Sequence, residues 1–268
     1  MSEQSEQVSV AADGAGSPRS AARLDALPSD LARPDAGRSV VVIGGTSGIG
    51  TAIAERFAGS GASVIVAGLR SADTPASLAA VARTVELDIT NGHDLEDFLA
   101  GLPALDVLVN AAGVLHRGEE YRPEVFARVV EINLTGTMRA CVSAKPLLCR
   151  GGGCIVNVAS MLSFFGGPLV PAYTSSKGGV LQLTKALAVA WAAEGIRVNA
   201  VAPGWIRTSL TAGLHDNAET FQRIVDRTPM GRWGEPADVA GAVAFLCGPD
   251  ARFITGVVLP VDGGYLAA

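Results

Sequence analysis

Tyr173 and Lys177, four residues apart, form the pair in this sequence best suited to moving a proton. That spacing places both side chains on one face of a helix. A free tyrosine has a pKa of about 10 and is a poor base at neutral pH, but a nearby ammonium group, together with the charge of an oxidised nicotinamide, favours the phenolate and lowers that pKa. Ser160 follows the preceding apolar run, where its hydroxyl could hold a substrate oxygen in line. The three groups together suit the interconversion of a secondary alcohol and a ketone.

The Tyr-x3-Lys pattern alone is weak evidence, because such pairs occur by chance on many amphipathic helices. A glycine-rich loop at residues 44–50, GGTSGIG, supplies the second part of the argument. It joins the first apolar run to the first helical pattern, where a tight turn and free N–H groups can receive a pyrophosphate. Gly44, Gly48 and Gly50 are spaced more widely in the first gap than in the usual dinucleotide fingerprint. Loop and pair together predict a nicotinamide-dependent oxidoreductase.

The end of the second apolar run bears on the choice between NAD and NADP. Gly68 stands where an acidic residue would bind the adenosine ribose of NAD, and Arg70 could instead meet a 2′-phosphate. Against NADP, the glycine loop contains neither Lys nor Arg. The two signals oppose each other, so these residues leave the cofactor as NAD(P).

The elements that must position these groups alternate regularly from residue 38 onward. Short apolar runs, rich in Val, Ile and Leu, are each followed by a helical pattern, which is typical of a parallel sheet covered on both faces. We therefore predict an α/β fold: a single doubly wound, Rossmann-like domain over residues 38–268, with ligands at the carboxyl ends of the strands. The predicted strands are 39–43, 62–67, 85–87, 105–109, 155–158, 196–201 and 257–261. The longer predicted helices are 124–134, 173–194, 219–227 and 236–246.

Residues 1–37 differ from this pattern, because they are rich in Ala, Ser, Gly, Asp and Pro and show no sustained period. Such a segment buries too little apolar surface to offset its ordering entropy, so we predict a disordered or loosely docked tail. The segment between Gly68 and Val85 is short and leaves little room for a full helix.

Composition excludes several classes of function. The net charge is −5 without a basic block, which gives no electrostatic support for binding nucleic acid or an anionic membrane. The four cysteines form neither CxxC nor Cys/His spacing, so we expect buried free thiols and no metal site. Since no signal pattern or membrane-spanning run occurs, the expected location is the cytoplasm.

Taken in order, these motifs resemble the short-chain dehydrogenase/reductase family from about residue 38 to the C-terminus. The resemblance implies that Tyr173 is the general acid/base, that Ser160 binds the substrate oxygen and that Lys177 binds the nicotinamide ribose. It further implies that Asn133, in EINLTG, holds a water linking Lys177 to solvent, and that Asp88 meets the adenine. The cofactor cleft that it implies is lined by Gly44, Thr46, Ser47, Gly48, Ile49, Gly50, Leu69, Arg70, Asp88, Ile89, Asn110, Ala111, Gly113, Tyr173, Lys177, Pro203, Gly204, Ile206 and Thr208.

Two positions depart from the family's pattern. Ile43 stands where members usually carry a threonine whose hydroxyl braces the glycine loop, and Ala111 replaces the second asparagine of an NNAG motif. We expect both changes to alter local support rather than chemistry, because the reacting groups are intact.

A narrower resemblance concerns the substrate. The stretches at residues 159–174 and 231–234 resemble the 2-dehydro-3-deoxy-D-gluconate dehydrogenases, which implies a small sugar-acid-like substrate and leans to NAD. His116 and Arg117 fall where those enzymes carry a basic pair, and Arg117 could bind a carboxylate through two hydrogen bonds. Arg207 is a second candidate, although either arginine could equally be a solvated surface charge. Met161 and Trp205 complete the set of candidate substrate contacts.

Two alternatives stay open at this point. A 3-oxoacyl-carrier-protein or general ketone reductase would share every catalytic motif, although we find no obvious basic patch for an acidic carrier. A dinucleotide sensor without catalysis is disfavoured, because the tyrosine and the lysine are both present. The family usually forms tetramers, and the small residues of the helix after Tyr173 would permit close packing, so we expect a homotetramer.

Overall fold

The computed structural model describes residues 35–69 and 74–268. Its sheet has seven parallel strands in the order β3-β2-β1-β4-β5-β6-β7. The predicted doubly wound α/β fold is therefore confirmed. The strands are β1 (Ser39–Ile43), β2 (Ser63–Gly68), β3 (Arg83–Glu86), β4 (Val107–Asn110), β5 (Cys154–Val158), β6 (Arg197–Pro203) and β7 (Val258–Val261).

Helices cover both faces of this sheet. The α-helices are α1 (Gly48–Gly59), α2 (Ala76–Ala79), α3 (Gly92–Ala100), α4 (Pro123–Val130), α5 (Gly136–Leu148), α6 (Pro171–Trp191), α7 (Ala212–His215), α8 (Ala218–Arg227) and α9 (Pro236–Cys247). The chain leaves β1 for β2 on one side and later returns to place β4 on the other side of β1. Since the loops after β1 and β4 diverge there, this switch point opens a crevice at the carboxyl end of the sheet.

The apolar core lies in two layers, one on each face of the sheet. Phe57 of α1 and Leu246 of α9 belong to the first layer. Leu95 of α3 and Leu148 of α5 belong to the second. All four side chains are at most 1% exposed. Strands buried on both faces need apolar side chains in both directions, which explains the unbroken Val/Ile runs.

One predicted helix boundary was wrong. The helix expected to end near residue 134 continues through a wider, π-helical turn (Glu131–Thr135) into α5. Two residues that usually interrupt helices lie in α5. Gly136 is required by packing, because a Cβ there would lie 2.8 Å from the Ile89 side chain. Pro146 lies near the end of the helix and is tolerated there.

In the described part of the segment between β2 and β3, residues 74–82, the one helix is the four-residue α2, in line with the predicted lack of room. Most of the predicted tail, residues 1–34, lies outside the described residues. The Asp35 N–H donates to the Ser60 carbonyl at 3.2 Å, and its carboxylate pairs with Arg38 at 2.7 Å. In the portion of the chain that the structure describes, no helix combines the length and the apolar character needed to cross a membrane.

Candidate active site

A cavity of about 350 Å³ opens at the carboxyl end of the sheet, at the switch point between β1 and β4. The glycine loop forms one end, and the start of α6 forms the other. The structure brings most of the sequence-predicted residues to this cavity. Those that line it are Gly44, Thr46, Ser47, Gly48, Ile49, Gly50, Leu69, Asp88, Ile89, Ala111, Gly113, Arg117, Ser160, Met161, Tyr173, Lys177, Pro203, Gly204, Trp205, Ile206 and Thr208.

The glycine loop is held in place by close backbone contacts. A Cβ on Gly50 would lie 2.1 Å from the Gly44 carbonyl oxygen, so only glycine permits this turn to enter α1. The hydroxyl of Thr51, in the first turn of α1, donates to the Gly45 carbonyl at 3.0 Å. This bond supplies the brace that Ile43 cannot provide. None of the hydrogen bonds among the described residues uses the N–H groups of Ile49 or Gly50, which leaves them available to an anion.

The wall at the end of β2 carries no charge in its described part. Thr46 donates its hydroxyl to the Leu69 carbonyl at 3.2 Å, and a Cβ on Gly68 would lie 3.2 Å from that hydroxyl oxygen. Arg70, the candidate for a 2′-phosphate, lies outside the described residues. The wall therefore offers a small hydroxyl and backbone groups.

Asp88 lies at the end of the cavity where the resemblance places adenine. Its carboxylate accepts hydrogen bonds from the N–H and the hydroxyl of Thr90, at 2.9 and 2.7 Å. These two bonds lower the pKa of Asp88, and the positive charge of Arg128 contributes in the same direction. Arg128 also lines the cavity. Sequence reasoning missed it, because an arginine on an amphipathic helix has the pattern of a surface charge.

Tyr173, Ser160 and Lys177 come together from two elements. Ser160 follows β5 and accepts a hydrogen bond from the Leu162 N–H at 3.1 Å, which fixes the turn that carries it. Ser163 ties this turn to α6, because its hydroxyl donates to the Lys177 carbonyl at 2.7 Å. The Lys177 ammonium lies 5.7 Å from the centre of the Tyr173 ring. All three side chains face the cavity that the glycine loop closes at its other end.

The pKa of Tyr173 differs from the sequence-based expectation. Burial raises it above its ordinary value, the nearby Ser160 hydroxyl lowers it in part, and the Glu120 carboxylate raises it further. Lys177, which is expected to lower this pKa together with the charge of the oxidised nicotinamide, does not by itself outweigh these effects. The reason lies in Lys177 itself, since burial lowers its own pKa to about 8 and its ammonium donates to the Val158 carbonyl at 2.7 Å.

Asn133 is buried beside this group and does not line the cavity. It lies in the π-helical turn between α4 and α5, and its amide exchanges two hydrogen bonds with the backbone of Val114, at 2.8 and 2.9 Å. The amide nitrogen also donates to the Ser176 hydroxyl at 3.1 Å. A Cβ on Gly113 would lie 3.5 Å from the Asn133 amide oxygen and 3.4 Å from the Lys177 ammonium nitrogen. Asn133 therefore connects the loop after β4 to α6.

Asn110 is a second predicted cofactor residue that faces away from the cavity. Its amide nitrogen donates to the Asn157 side chain at 2.9 Å, which joins β4 to β5 inside the sheet. The Asn110 side chain thus holds the ends of β4 and β5 together inside the sheet. The neighbouring Ala111 lines the cavity instead.

The candidate substrate residues divide into two groups. Arg117, Met161 and Trp205 line the cavity, whereas His116 and Arg207 do not. Arg207 instead pairs with Glu235 at 3.2 Å, and its guanidinium stacks over the Phe221 ring at 5.6 Å. The interpretation of Arg207 as a substrate contact is therefore wrong for this structure, because its charge already has a partner outside the cavity.

A group of aromatic side chains packs around Trp205, the member of the group that lines the cavity. Trp205 packs on Trp233 with ring centres 5.7 Å apart and on Tyr265 at 6.5 Å. Trp233 stacks on Phe221 at 5.8 Å and meets the edge of His215 at 5.6 Å. The indole N–H groups of both tryptophans are buried without a hydrogen-bond partner among the described residues. We call these five residues the aromatic cover.

Glu120 is the principal residue near the site that sequence reasoning missed. Its side chain is fully buried, and its carboxylate accepts hydrogen bonds from the N–H groups of His116 and Tyr173, both at 2.8 Å. The sequence GEEYRP reads as a polar surface turn, so no local signal separates Glu120 from the exposed Glu119.

Comparison with known proteins assigns this architecture to a family. Residues 43–266 match a family profile described as enoyl-(acyl carrier protein) reductase. The 2-dehydro-3-deoxy-D-gluconate 5-dehydrogenase of Bacillus subtilis (strain 168) is 38% identical over 247 residues, covering 86% of this chain and 95% of that protein. The L-tagatose-forming galactitol 2-dehydrogenase of Cereibacter sphaeroides is also 38% identical, over 85% of this chain and 95% of its own.

A solved structure supports the same assignment. A candidate NAD(P)-dependent gluconate 5-dehydrogenase from Beutenbergia cavernae, with NADP bound at low occupancy, superposes with a TM-score of 0.82. It is 39% identical in sequence, and the match covers 87% of this chain and 98% of that one.

Proposed function

The chain belongs to the short-chain dehydrogenase/reductase family, whose members interconvert secondary alcohols and ketones with NAD(P), and we propose that Tyr173 is the acid/base of its reaction. The observation that carries this proposal is the convergence of Tyr173, Ser160 and Lys177 on one cavity that ends at the glycine loop. No other part of the described chain combines an anion-binding helix start with a proton-transfer group in one cavity.

The residues present fit a dinucleotide. The free N–H groups at the start of α1 suit the pyrophosphate, and Gly48, at φ +55°, lets the backbone face the cavity without a side chain. Lys177 and Gly113 lie at the far end, where the nicotinamide riboside would rest. When bound, the nicotinamide ring supplies the hydride acceptor or donor.

The proton is handled by the protein. In alcohol oxidation the carbinol carbon gives up a hydride, Tyr173 takes the hydroxyl proton at its Oη, and the C–O bond becomes a carbonyl. In ketone reduction Tyr173 returns that proton to the oxygen, which Ser160 holds in line by a hydrogen bond. Because the pKa of Tyr173 is raised, its phenol form predominates at neutral pH and suits reduction, whereas oxidation gains as the pH rises.

Lys177 and Asn133 support this proton transfer. The Lys177 ammonium, held by the Val158 carbonyl, would bind the nicotinamide ribose. The Asn133 side chain fixes the loop that carries Gly113, and Asn133 would hold the water that connects Lys177 to solvent. Met161 and Trp205 would then enclose the substrate carbon that exchanges hydride.

The cofactor preference in this proposal is NAD. A 2′-phosphate needs a cationic or multiply donating partner, and the described wall at the end of β2 offers Thr46, Gly68 and Leu69. Rates with NAD and NADP measured in parallel test this preference. A strong preference for NADP would contradict it and would point to Arg70.

The proposed substrate is a small sugar-acid-like molecule. Arg117 is an arginine that lines the cavity, and a guanidinium binds a carboxylate through two parallel hydrogen bonds. The two curated relatives act on a ketodeoxy sugar acid and on a polyol, so the carboxylate is the feature to test. Sugar acids and polyols of equal length, assayed side by side, should show a higher kcat/KM for the acids.

Assembly as a homotetramer in the cytoplasm completes the proposal. Exposed apolar side chains on the outer faces of α4, α5 and α6 support assembly, namely Phe126, Met138, Val142 and Val189. The four cysteines are free thiols, which suits a reducing compartment. A monomer by light scattering would overturn the tetramer.

The substitution Tyr173→Phe tests the central assignment. It removes the proton carrier and keeps the ring, so we expect kcat to fall by about 10²–10⁴ while the cofactor still binds. Cofactor binding can be followed by the change in protein fluorescence on titration. Unchanged turnover of an accepted alcohol would show that Tyr173 is not the acid/base.

A further inference from the structure

Glu120 is a buried carboxylate that the reaction described above does not use. Its side chain has no exposed surface, although the neighbouring residues Glu119 and Tyr121 are exposed. Burying a charge is costly unless hydrogen bonds or an opposite charge compensate. None of the ion pairs among the described residues includes Glu120, so its two hydrogen bonds must provide the compensation.

Those two bonds connect separate parts of the site. One carboxylate oxygen accepts from the His116 N–H, within the loop that carries Arg117 into the cavity. The other oxygen accepts from the N–H of Tyr173 itself. A single side chain therefore binds the substrate-facing loop and the backbone of the proton-transfer residue.

Helix α6 needs this partner at its start. The first N–H groups of a helix lack intrahelical acceptors, and negative charge is favoured there by the helix dipole. Val170, the residue before the helix, provides no side-chain cap, and Pro171 has no N–H. Tyr173 is the third residue of α6, so Glu120 fills the role of the missing cap from 53 residues away.

Further bonds show that the loop is attached along its length. The Gly118 N–H donates to the Leu169 carbonyl at 2.8 Å, and the Tyr121 hydroxyl donates to the Pro168 carbonyl at 2.8 Å. Tyr121 is largely exposed, whereas Glu120 lies inside. The buried carboxylate is therefore the part of this attachment that reaches the reacting tyrosine.

We propose that Glu120 is a positioning residue that holds Tyr173 and the loop of residues 113–118 in one fixed geometry, so that the acid/base and the substrate-facing arginine are set together. The proposal rests on the role of Tyr173 proposed above. It predicts that a defect at Glu120 affects substrate binding and proton transfer at once.

The charge of Glu120 provides a signature that a purely structural role lacks. Among the described residues, the charged groups beside Tyr173 are Glu120 from the loop and Lys177 from α6, and Arg117 of the same loop lines the cavity. Glu120 raises the pKa of Tyr173, since a nearby negative charge disfavours the phenolate. Neutralising Glu120 should therefore make the phenolate available at lower pH.

The test compares Glu120→Gln, Glu120→Asp and the exposed control Glu119→Gln, with the full-length protein and an accepted alcohol. Glu120→Gln keeps the size, removes the charge and turns an N–H donor toward one of the two backbone N–H groups. We expect its rate–pH profile for oxidation to move down by about one pH unit and its KM for substrate to rise several-fold. Glu119→Gln should match the wild type in both.

Glu120→Asp keeps the charge but shortens the reach. The rate–pH profile of Glu120→Asp for oxidation should lie at the same pH as that of the wild type, while its kcat falls. If Glu120→Gln does not fold, Glu120→Asp provides the test. A Glu120→Gln protein with lower thermal stability but unchanged profile and KM would overturn the proposal. If Tyr173→Phe were fully active the proposed function itself would fail, whereas an inactive Tyr173→Phe beside an unaffected Glu120→Gln would remove this inference alone.

Discussion

The wall of the cavity that carries Ser160, Tyr173 and Lys177 is held by hydrogen bonds, whereas the aromatic cover opposite is held by ring packing. Hydrogen bonds depend steeply on distance and angle, so they fix the reacting atoms relative to one another. Ring contacts allow several offset and edge-to-face arrangements, and the indole N–H groups of Trp205 and Trp233, which have no partner within the described part of the chain, add no directional restraint.

This difference separates two tasks within one cavity. Proton transfer requires the donor and the acceptor to stay within hydrogen-bond reach. The hydrogen-bonded wall therefore suits chemistry that is shared by many substrates. The aromatic cover reaches the cavity through Trp205 and carries none of the proposed proton-transfer groups, so it suits the choice of substrate. Substitutions in the hydrogen-bonded wall should therefore lower kcat, and substitutions in the aromatic cover should mainly change KM.

The largest expected effect is the loss of kcat on a substitution in the hydrogen-bonded wall. Ser160→Ala removes the hydroxyl that we propose holds the substrate oxygen, and kcat should fall by about 10²–10³ with cofactor binding unchanged. Steady-state kinetics with saturating cofactor measure this loss. If KM rose instead and kcat did not change, Ser160 would contribute to substrate binding, as we expect for the aromatic cover, and not to the chemical step.

The second effect concerns how the free energy of unfolding depends on pH through Lys177. Burial lowers the pKa of Lys177 from 10.5 to about 8, so between these values the folded protein binds fewer protons than the unfolded chain. The free energy of unfolding contributed by Lys177 therefore rises as the pH increases from 8 to 10.5, by about 3 kcal/mol. Below pH 8 the cost of burying the ammonium is fully present.

Chemical denaturation of wild type and Lys177→Met across this pH window isolates that contribution. The difference in unfolding free energy between the two proteins should move in favour of the wild type as the pH rises. A difference independent of pH would mean that the ammonium is well solvated.

A smaller effect is expected in the aromatic cover. Trp205→Leu removes ring contacts with Trp233 and Tyr265, so KM for substrate should rise about 10-fold while kcat stays within about 3-fold. Testing several alcohols should also show a changed order of preference. A large loss of kcat for every alcohol would show that the cover fixes the reacting atoms as well.

The smallest effect is expected for Arg207→Gln. Its pair with Glu235 is about half exposed, so the loss should be at most about 1 kcal/mol in stability, with kinetics near wild type. Thermal denaturation and kinetics on the same sample check this. A strong rise in KM for acids alone would restore Arg207 as a carboxylate partner.

The sequence predicted the sheet and the grouping of Ser160, Tyr173 and Lys177 at one cavity because their signals are local. Parallel strands buried on both faces appear as apolar runs, and Tyr173 and Lys177 are near neighbours on one helix. The continuation of the helix past residue 134 was missed, since Gly136 is explained only by the Ile89 side chain. Glu120, Arg128 and Arg207 have the same local pattern as surface charges, and only tertiary contacts separate their roles. The raised pKa of Tyr173 likewise depends on burial that no spacing reveals.

The bond from Thr51 to the Gly45 carbonyl has a consequence for protein engineering. Because the hydroxyl that supports the loop comes from the helix after it, position 43 is free to be any apolar residue that fills the core. A loop transplanted from a relative that carries its hydroxyl on the strand would arrive here without support unless the first turn of α1 were exchanged together with it. The interchangeable module is therefore the loop with its following helical turn.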